Sequence, residues 1–233
     1  MNWTVGPDFW IGLIQIIWID IILSGDNAVV IALAARSLPP KRRKQAVILG
    51  AGGAVVLRVL LILVATQLLE LPYLRIVGGL LLLWIGVGLM GKNEEGAGAA
   101  ERGDAAHGQS TWIAAVRTIL IADVVMSLDN VIAVAAAAGG DIVLLAIGLA
   151  GSIPLVIFGS TLLMGLMARL PIIAVLGAAL IGWVGGETLV NDVALTGWRQ
   201  AMPWLRYAMA AVGAIGVVLI GHLLQRRRVS VKP

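Results

Sequence analysis

The chain has 233 residues, 60% of them hydrophobic and 13% charged, with a net charge of +4 and a mean hydropathy of +0.98. A soluble domain carries about a quarter charged residues, so these figures exclude one and imply a polytopic membrane protein. The positive charge does not point to nucleic acid, because the basic residues gather at 36–44 and 226–232, beside the ends of apolar runs, as topology signals and headgroup contacts do.

Apolar runs of about 20 residues, enough to cross the hydrocarbon core, fill most of the sequence. Helix is the default for each, since a spanning segment must satisfy its own backbone polar groups. In chain order the runs are 9–35, 46–69, 73–91, 112–138, 142–168, 171–190 and 202–225. The expected fold class is therefore all-α, with seven transmembrane helices. Residues 1–8 lack a basic region and a small-residue cleavage site, so no removable signal peptide is expected. Residues 92–110, rich in Gly, Ala and charge, are the one long polar connection and read as a mobile linker. With no cysteine there is neither a disulfide nor a thiolate metal site.

The loop at 36–44 carries five basic residues and no acid, which places it in the cytoplasm. The N-terminus is then outside, and seven crossings bring Arg226, Arg227 and Arg228 inside as well. The expected location is the cell membrane.

The sequence also repeats itself. Asp20, Ser24, Asp26 and Asn27 recur 103 residues later as Asp123, Ser127, Asp129 and Asn130. Leu71, Pro72, Gly78, Trp84 and Gly86 recur 99 residues on as Leu170, Pro171, Gly177, Trp183 and Gly185, and Gly50 and Gly53 recur 98 on as Gly148 and Gly151. Three spans per repeat is an odd number, so the second copy must be inverted, as in secondary transporters that bind substrate near the bilayer midplane. The domains expected are a first repeat at 1–91, the linker at 92–111, a second repeat at 112–191, and a seventh helix with a basic tail at 192–233.

Each acidic motif lies inside a span, where a charged residue costs roughly 2.5–3.5 kcal/mol even on lenient scales. On a helix Ser24 and Asn27 fall within about 40° of Asp20, as Ser127 and Asn130 do of Asp123. Asp26 and Asp129 stand about 120° away on a straight helix, and reach the same centre only if it unwinds or if they face the other repeat. Gly25 permits unwinding in the first copy; Leu128 takes its place in the second. Oxygen-only ligands select hard cations such as Mg²⁺, Ca²⁺ or Mn²⁺. Four carboxylates around one divalent ion leave a charge of −2, too costly in low dielectric unless some are protonated or paired. Arg58, mid-way along the second span, is the natural internal partner, and it does not deprotonate. Metal would then displace protons or the Arg58 pairing, in a proton-coupled exchange.

These paired motifs, the basic loop after the first span and the seven-span plan resemble the TerC family of integral membrane proteins, within the LysE-type transporter superfamily. The resemblance covers essentially the whole chain. It implies export of divalent cations, chiefly Mn²⁺, from the cytoplasm, with metal-site aspartates at Asp20, Asp26, Asp123 and Asp129 and Asn27 and Asn130 beside them. The metal is cargo; no prosthetic group is expected. The partners implied are the bilayer, the divalent ion and protons as counter-ion, with no nucleic acid; self-association is left open.

Plainer readings stand beside these. The aspartates could be polar glue between helices, although Ser or Asn would serve without ionisable groups. Ser24 and Ser127 could bond a backbone carbonyl one turn back, and Asn27 and Asn130 could bond between helices. Glu187 reads as a wetted helix end, with a place lining an exit path as the alternative, Arg117 as snorkelling to the interface, Asn191 and Asp192 as external loop, and His107 and His222 as incidental. Trp3, Trp10, Trp112 and Trp204 read as interfacial anchors, and the deeper Trp84 and Trp183 as packing. An intramembrane aspartyl protease would need a GxGD-type segment, which Ser24-Gly25-Asp26 only partly resembles, so no enzyme is expected. An assembly or metal-loading role, and export of Ca²⁺ or an amino acid, are the alternatives.

Overall fold

The computed structural model describes residues 7–69, 71–91, 105–138 and 141–229, and they are helical apart from short connections. In chain order the elements are α1 (Pro7–Leu23), α2 (Gly25–Ala35), α3 (Pro40–Leu69), α4 (Leu74–Gly91), α5 (Ala105–Ala137), α6 (Ile142–Arg169), α7 (Ile172–Val190), a 3₁₀ turn (Val193–Leu195), α8 (Thr196–Ala201) and α9 (Leu205–Val229).

Four of these helices are long and apolar enough to cross a bilayer, and six segments are if each bent pair counts as one span. The expected third span falls short. Its apolar part is Leu74–Met90, and the 18 residues of α4 reach only about 27 Å at 1.5 Å per residue, against a hydrocarbon core of about 30 Å. α5 begins at Ala105, within the stretch expected as linker, and residues 92–104 of that stretch lie outside the described residues. α3 starts at Pro40, six residues before the apolar run, because proline at a first helical position costs no hydrogen bond.

The first span is broken where the motif sits. α1 ends at Leu23, Ser24 leaves helical geometry with φ −108° and ψ 9°, and α2 sets off from Gly25 at 56° to α1. In the second copy Trp112–Leu128 and Asn130–Ala137 meet at 70°, even though Leu128 stands where Gly25 stood.

Packing follows the repeat in a crossed fashion. α1 packs on α6, and α3 packs on α5. Gly50 and Gly53 of α3 lie against Ile119 and Leu120 of α5, while Gly148 and Gly151 of α6 lie against Ile16 and Ile17 of α1. The glycines are 98 apart and their partners 103 apart, so each half lends its motif helix to the other. The largest buried cluster surrounds α2 (Val30 to Ala35) and takes in Ile119, Ala122 and Val125 of α5 and Met164 of α6.

α4, α7 and α9 form a second layer. A Cβ on Gly213 of α9 would fall on the carbonyl oxygen of Gly182 and crowd Gly186, whereas one on Gly216 would meet nothing. Gly213→Ala should therefore destabilise the protein by about 1–3 kcal/mol, since backbone cannot yield as a side chain can. Gly216→Ala, one turn away, should be neutral or slightly stabilising. Denaturant unfolding in micelles distinguishes them, and equal stability for the two would contradict the packing. The glycines make this contact and the tryptophans do not: Trp84 is 73% exposed, so its expected packing role is corrected to a surface position, while Trp183, 37% exposed, is only partly covered.

Candidate functional site

The break after Leu23 turns the motif inward. Asp20, on the last turn of α1, is 2% exposed, and Asp123 of α5 is 4% exposed. Between them stands the guanidinium of Arg58, reaching from α3 and itself 4% exposed. Its Nη1 donates to Asp20 Oδ1 and to Ser24 Oγ, its Nη2 to Asp123 Oδ1, and its Nε to Ser127 Oγ. Both serines face their own carboxylates: Ser24 donates to Asp20 at 2.9 Å and Ser127 to Asp123 at 3.3 Å. Neither hydroxyl is bonded to a backbone carbonyl, unlike Ser160 on α6, which donates to the carbonyl of Ile157.

The cluster borders a cavity of about 20 Å³, lined by Asp20, Ser24, Asn27, Arg58, Asp123 and Ser152 together with apolar side chains of α2, α3 and α6. That is room for about one water-sized occupant. Asn27 is 4% exposed, yet neither its Nδ2 nor its Oδ1 has a hydrogen-bond partner. Buried amides left unsatisfied are uncommon and costly, roughly 1–3 kcal/mol per group. An amide left so beside a polar cavity is one that a polar occupant, water included, would satisfy.

The structure does not draw every motif residue to this point. Asp26 is half-buried, accepts the N–H of Asn27 at 2.9 Å, and is not among the residues lining the cavity. Its charge favours the first turn of α2. Asn130 is spent elsewhere, donating at 3.0 Å to the carbonyl of Leu23, which the break leaves without its own helical partner. Asp129 lies in α5, with its side chain outside the described residues. Among the described residues no group of three His, Cys, Asp or Glu is disposed to hold a metal ion, because Arg58 stands between the two carboxylates that come closest. A contributor that sequence reasoning missed is Ser152 of α6, whose Oγ donates to Asp20 Oδ2. Its counterpart in the first repeat is Ala54, so the repeat gave no hint of it.

Other titratable groups have separate tasks. Glu187 pairs with Arg206 at the surface, and Arg117 is exposed, as a snorkelling residue would be. His222 is exposed; the side chain of His107 lies outside the described residues. Asp192 departs from the external-loop expectation: it is fully buried and caps the start of α4 from the far end of α7.

These features define an all-helical membrane protein with several apolar spans, built around a buried arginine–carboxylate centre. The chain belongs to the integral membrane protein TerC family, whose profile matches residues 5–229. It is 44% identical over 192 residues to an uncharacterized membrane protein of Bacillus subtilis, YjbE, covering 81% of this chain and 84% of YjbE. A more distant relative is the UPF0053 protein YegH of Escherichia coli, 28% identical over 147 residues; these are 57% of this chain but only 28% of YegH. No solved structure matches the chain.

Proposed function

We propose that this protein is a divalent-cation transporter that exports Mn²⁺, with the ion taken up by Asp20, Ser24, Asp123 and Ser127 and the free amide of Asn27. The observation that carries the reading is the convergence of two repeat-related Asp/Ser pairs on one cationic group, beside a cavity whose asparagine has no partner. These are hard oxygen donors, and hard divalent cations are what they select. Mn²⁺ is preferred to Ca²⁺ and Mg²⁺, and export to import, by resemblance to the family. Asp26, Asp129 and Asn130 join in this reading only as the bent helices shift during transport.

The crossed packing of α1 on α6 and α3 on α5 supports two inverted three-helix repeats around the site, with α9 as an unpaired seventh helix. In that arrangement the short α4 counts as a span, the N-terminus is outside and the C-terminus cytoplasmic, in the cell membrane. Binding one divalent ion to paired acids in low dielectric favours release of positive charge, so exchange against protons is part of the proposal.

The test is total Mn and Mn²⁺ tolerance in cells lacking their own exporter. Wild type should restore tolerance and lower cell Mn. Asp20→Asn and Asp123→Asn, at matched abundance in the membrane, should lose at least about tenfold in efflux rate, since each removes an ionic ligand made on binding. Efflux that persists in both variants would reject the site. Efflux indifferent to collapse of the proton gradient would reject the coupling.

A further inference from the structure

The guanidinium of Arg58 touches four side-chain oxygens, and they come in equal pairs from the two halves of the sequence: Asp20 and Ser24 from one, Asp123 and Ser127 from the other. The position matching Arg58 in the second half, 98 residues on, is Val156, which also lines the cavity. One basic residue therefore serves both motifs, and it engages the same oxygens that the reading above gives to the transported ion.

Two cations cannot share that set. The guanidinium's donors already use lone pairs of all four oxygens, and the cavity beside them has room for about one water-sized occupant. Charge argues the same way. Asp20 and Asp123 together balance one divalent ion, whereas retaining the guanidinium would leave a net positive cluster with almost no exposure to water. The guanidinium cannot escape by losing its proton. It can only move.

We infer that Arg58 is a tethered competitor of the transported cation, an inference that rests on the divalent-cation reading. It fills the ion's place between transport events, swings off Asp20 and Asp123 when a divalent ion enters, and displaces the ion when it returns. The apparent affinity for metal is thereby reduced by the fraction of molecules in which Arg58 holds the carboxylates. What is lost in affinity is gained in release, because an ion held by two acids and an amide with nothing to displace it would leave slowly. Asn27 fits the scheme: its amide is idle while the arginine is in place and adds an oxygen once the ion replaces it.

The experiment measures Mn²⁺ binding to the full chain in micelles by equilibrium dialysis, alongside Mn²⁺ efflux from cells, for wild type, Arg58→Met and Arg58→Lys. Methionine leaves an apolar side chain with no charge. Lysine keeps the charge on a compact head that reaches fewer of the four oxygens. Arg58→Met should bind Mn²⁺ at least about tenfold more tightly than wild type while exporting less than about a tenth as fast. Arg58→Lys should lie between in both. Equal or weaker Mn²⁺ binding by Arg58→Met, with wild-type binding intact, overturns the competitor role and leaves the cation site standing. If Arg58→Met cannot be recovered folded, Arg58→Lys decides: affinity no tighter than wild type overturns the role. Absence of Mn²⁺ binding in all three proteins overturns the cation reading, and this inference with it.

Discussion

Arg58→Met should cost the folded protein about 3–5 kcal/mol, the penalty typical of removing one partner from a buried ion pair. The reason is what stays behind. Asp20 and Asp123 are 2% and 4% exposed, and each loses its cationic partner while remaining out of water. Ser24, Ser127 and Ser152 still donate to them, but hydroxyls do not cancel charge. Adding Asp20→Asn and Asp123→Asn should recover most of the loss, because replacing a whole buried ionic group by neutral ones is often close to neutral in free energy. Denaturant titration in micelles, followed by tryptophan fluorescence, measures both proteins. Equal instability of the single and triple variants would mean that Arg58 contributes through packing alone. Mn²⁺ should also raise the stability of Arg58→Met more than that of wild type, by mass action on a site that binds it more tightly.

How legible this centre was depends on how local each contact is. Asp20 with Ser24, and Asp123 with Ser127, are i, i+4 pairs, so helix geometry brings them together before any tertiary fact is known, and the structure has both bonds. Arg58 could be read as their partner because it is a cation deep in an apolar run. The crossed glycine contacts were visible only as matched spacings, without the helices they pair. Asn27 reaches the cavity with Asp20 and Ser24, the residues that spacing put on one stripe with it, whereas Asp26 could not be assigned from spacing, since its direction depends on the break at Ser24, which leaves it at the start of α2. Ser152 was hidden because a lone serine in an apolar helix commonly back-bonds, which it also does here to Leu149. Trp84 misled because repetition was taken as packing, when the repeated glycines Gly86 and Gly185 make the close contacts. The clamp made by Asp192 was out of reach, since three of its four partners lie over a hundred residues earlier.

Asp192 carries the second large effect. Its Oδ1 accepts the N–H groups of Tyr73 at 2.9 Å and Ala194 at 2.8 Å, and its Oδ2 those of Arg75 at 3.0 Å and Ile76 at 3.3 Å. The first-turn N–H groups of α4 have no intrahelical partner, so a carboxylate from the end of α7 serves as their cap and ties the two helices together. It also holds Tyr73 at φ 69°, a left-handed conformation that costs an ordinary side chain about 1–2 kcal/mol. Asp192→Ala should destabilise the protein by about 3 kcal/mol or more, since several donors are left without an acceptor at about 1–3 kcal/mol each. Asp192→Asn, with a single acceptor oxygen, should lose roughly half of that. The charge adds a pH signature. Burial alone would push the Asp192 carboxyl up, but the four backbone N–H bonds more than offset this and hold it below the usual carboxylate range. A group depressed in the folded state contributes stability that is complete above its unfolded value of about 3.9 and is lost as pH falls through the folded one. The stability gap between wild type and Asp192→Asn should therefore hold steady from pH 7 down to about pH 4 and narrow only below that, the wild type then losing an advantage that the amide never had. A gap that narrows well above about pH 4, or that stays constant down to the lowest pH at which both proteins fold, would show that the carboxylate's charge is not what secures α4, leaving shape and hydrogen-bond count to account for the clamp.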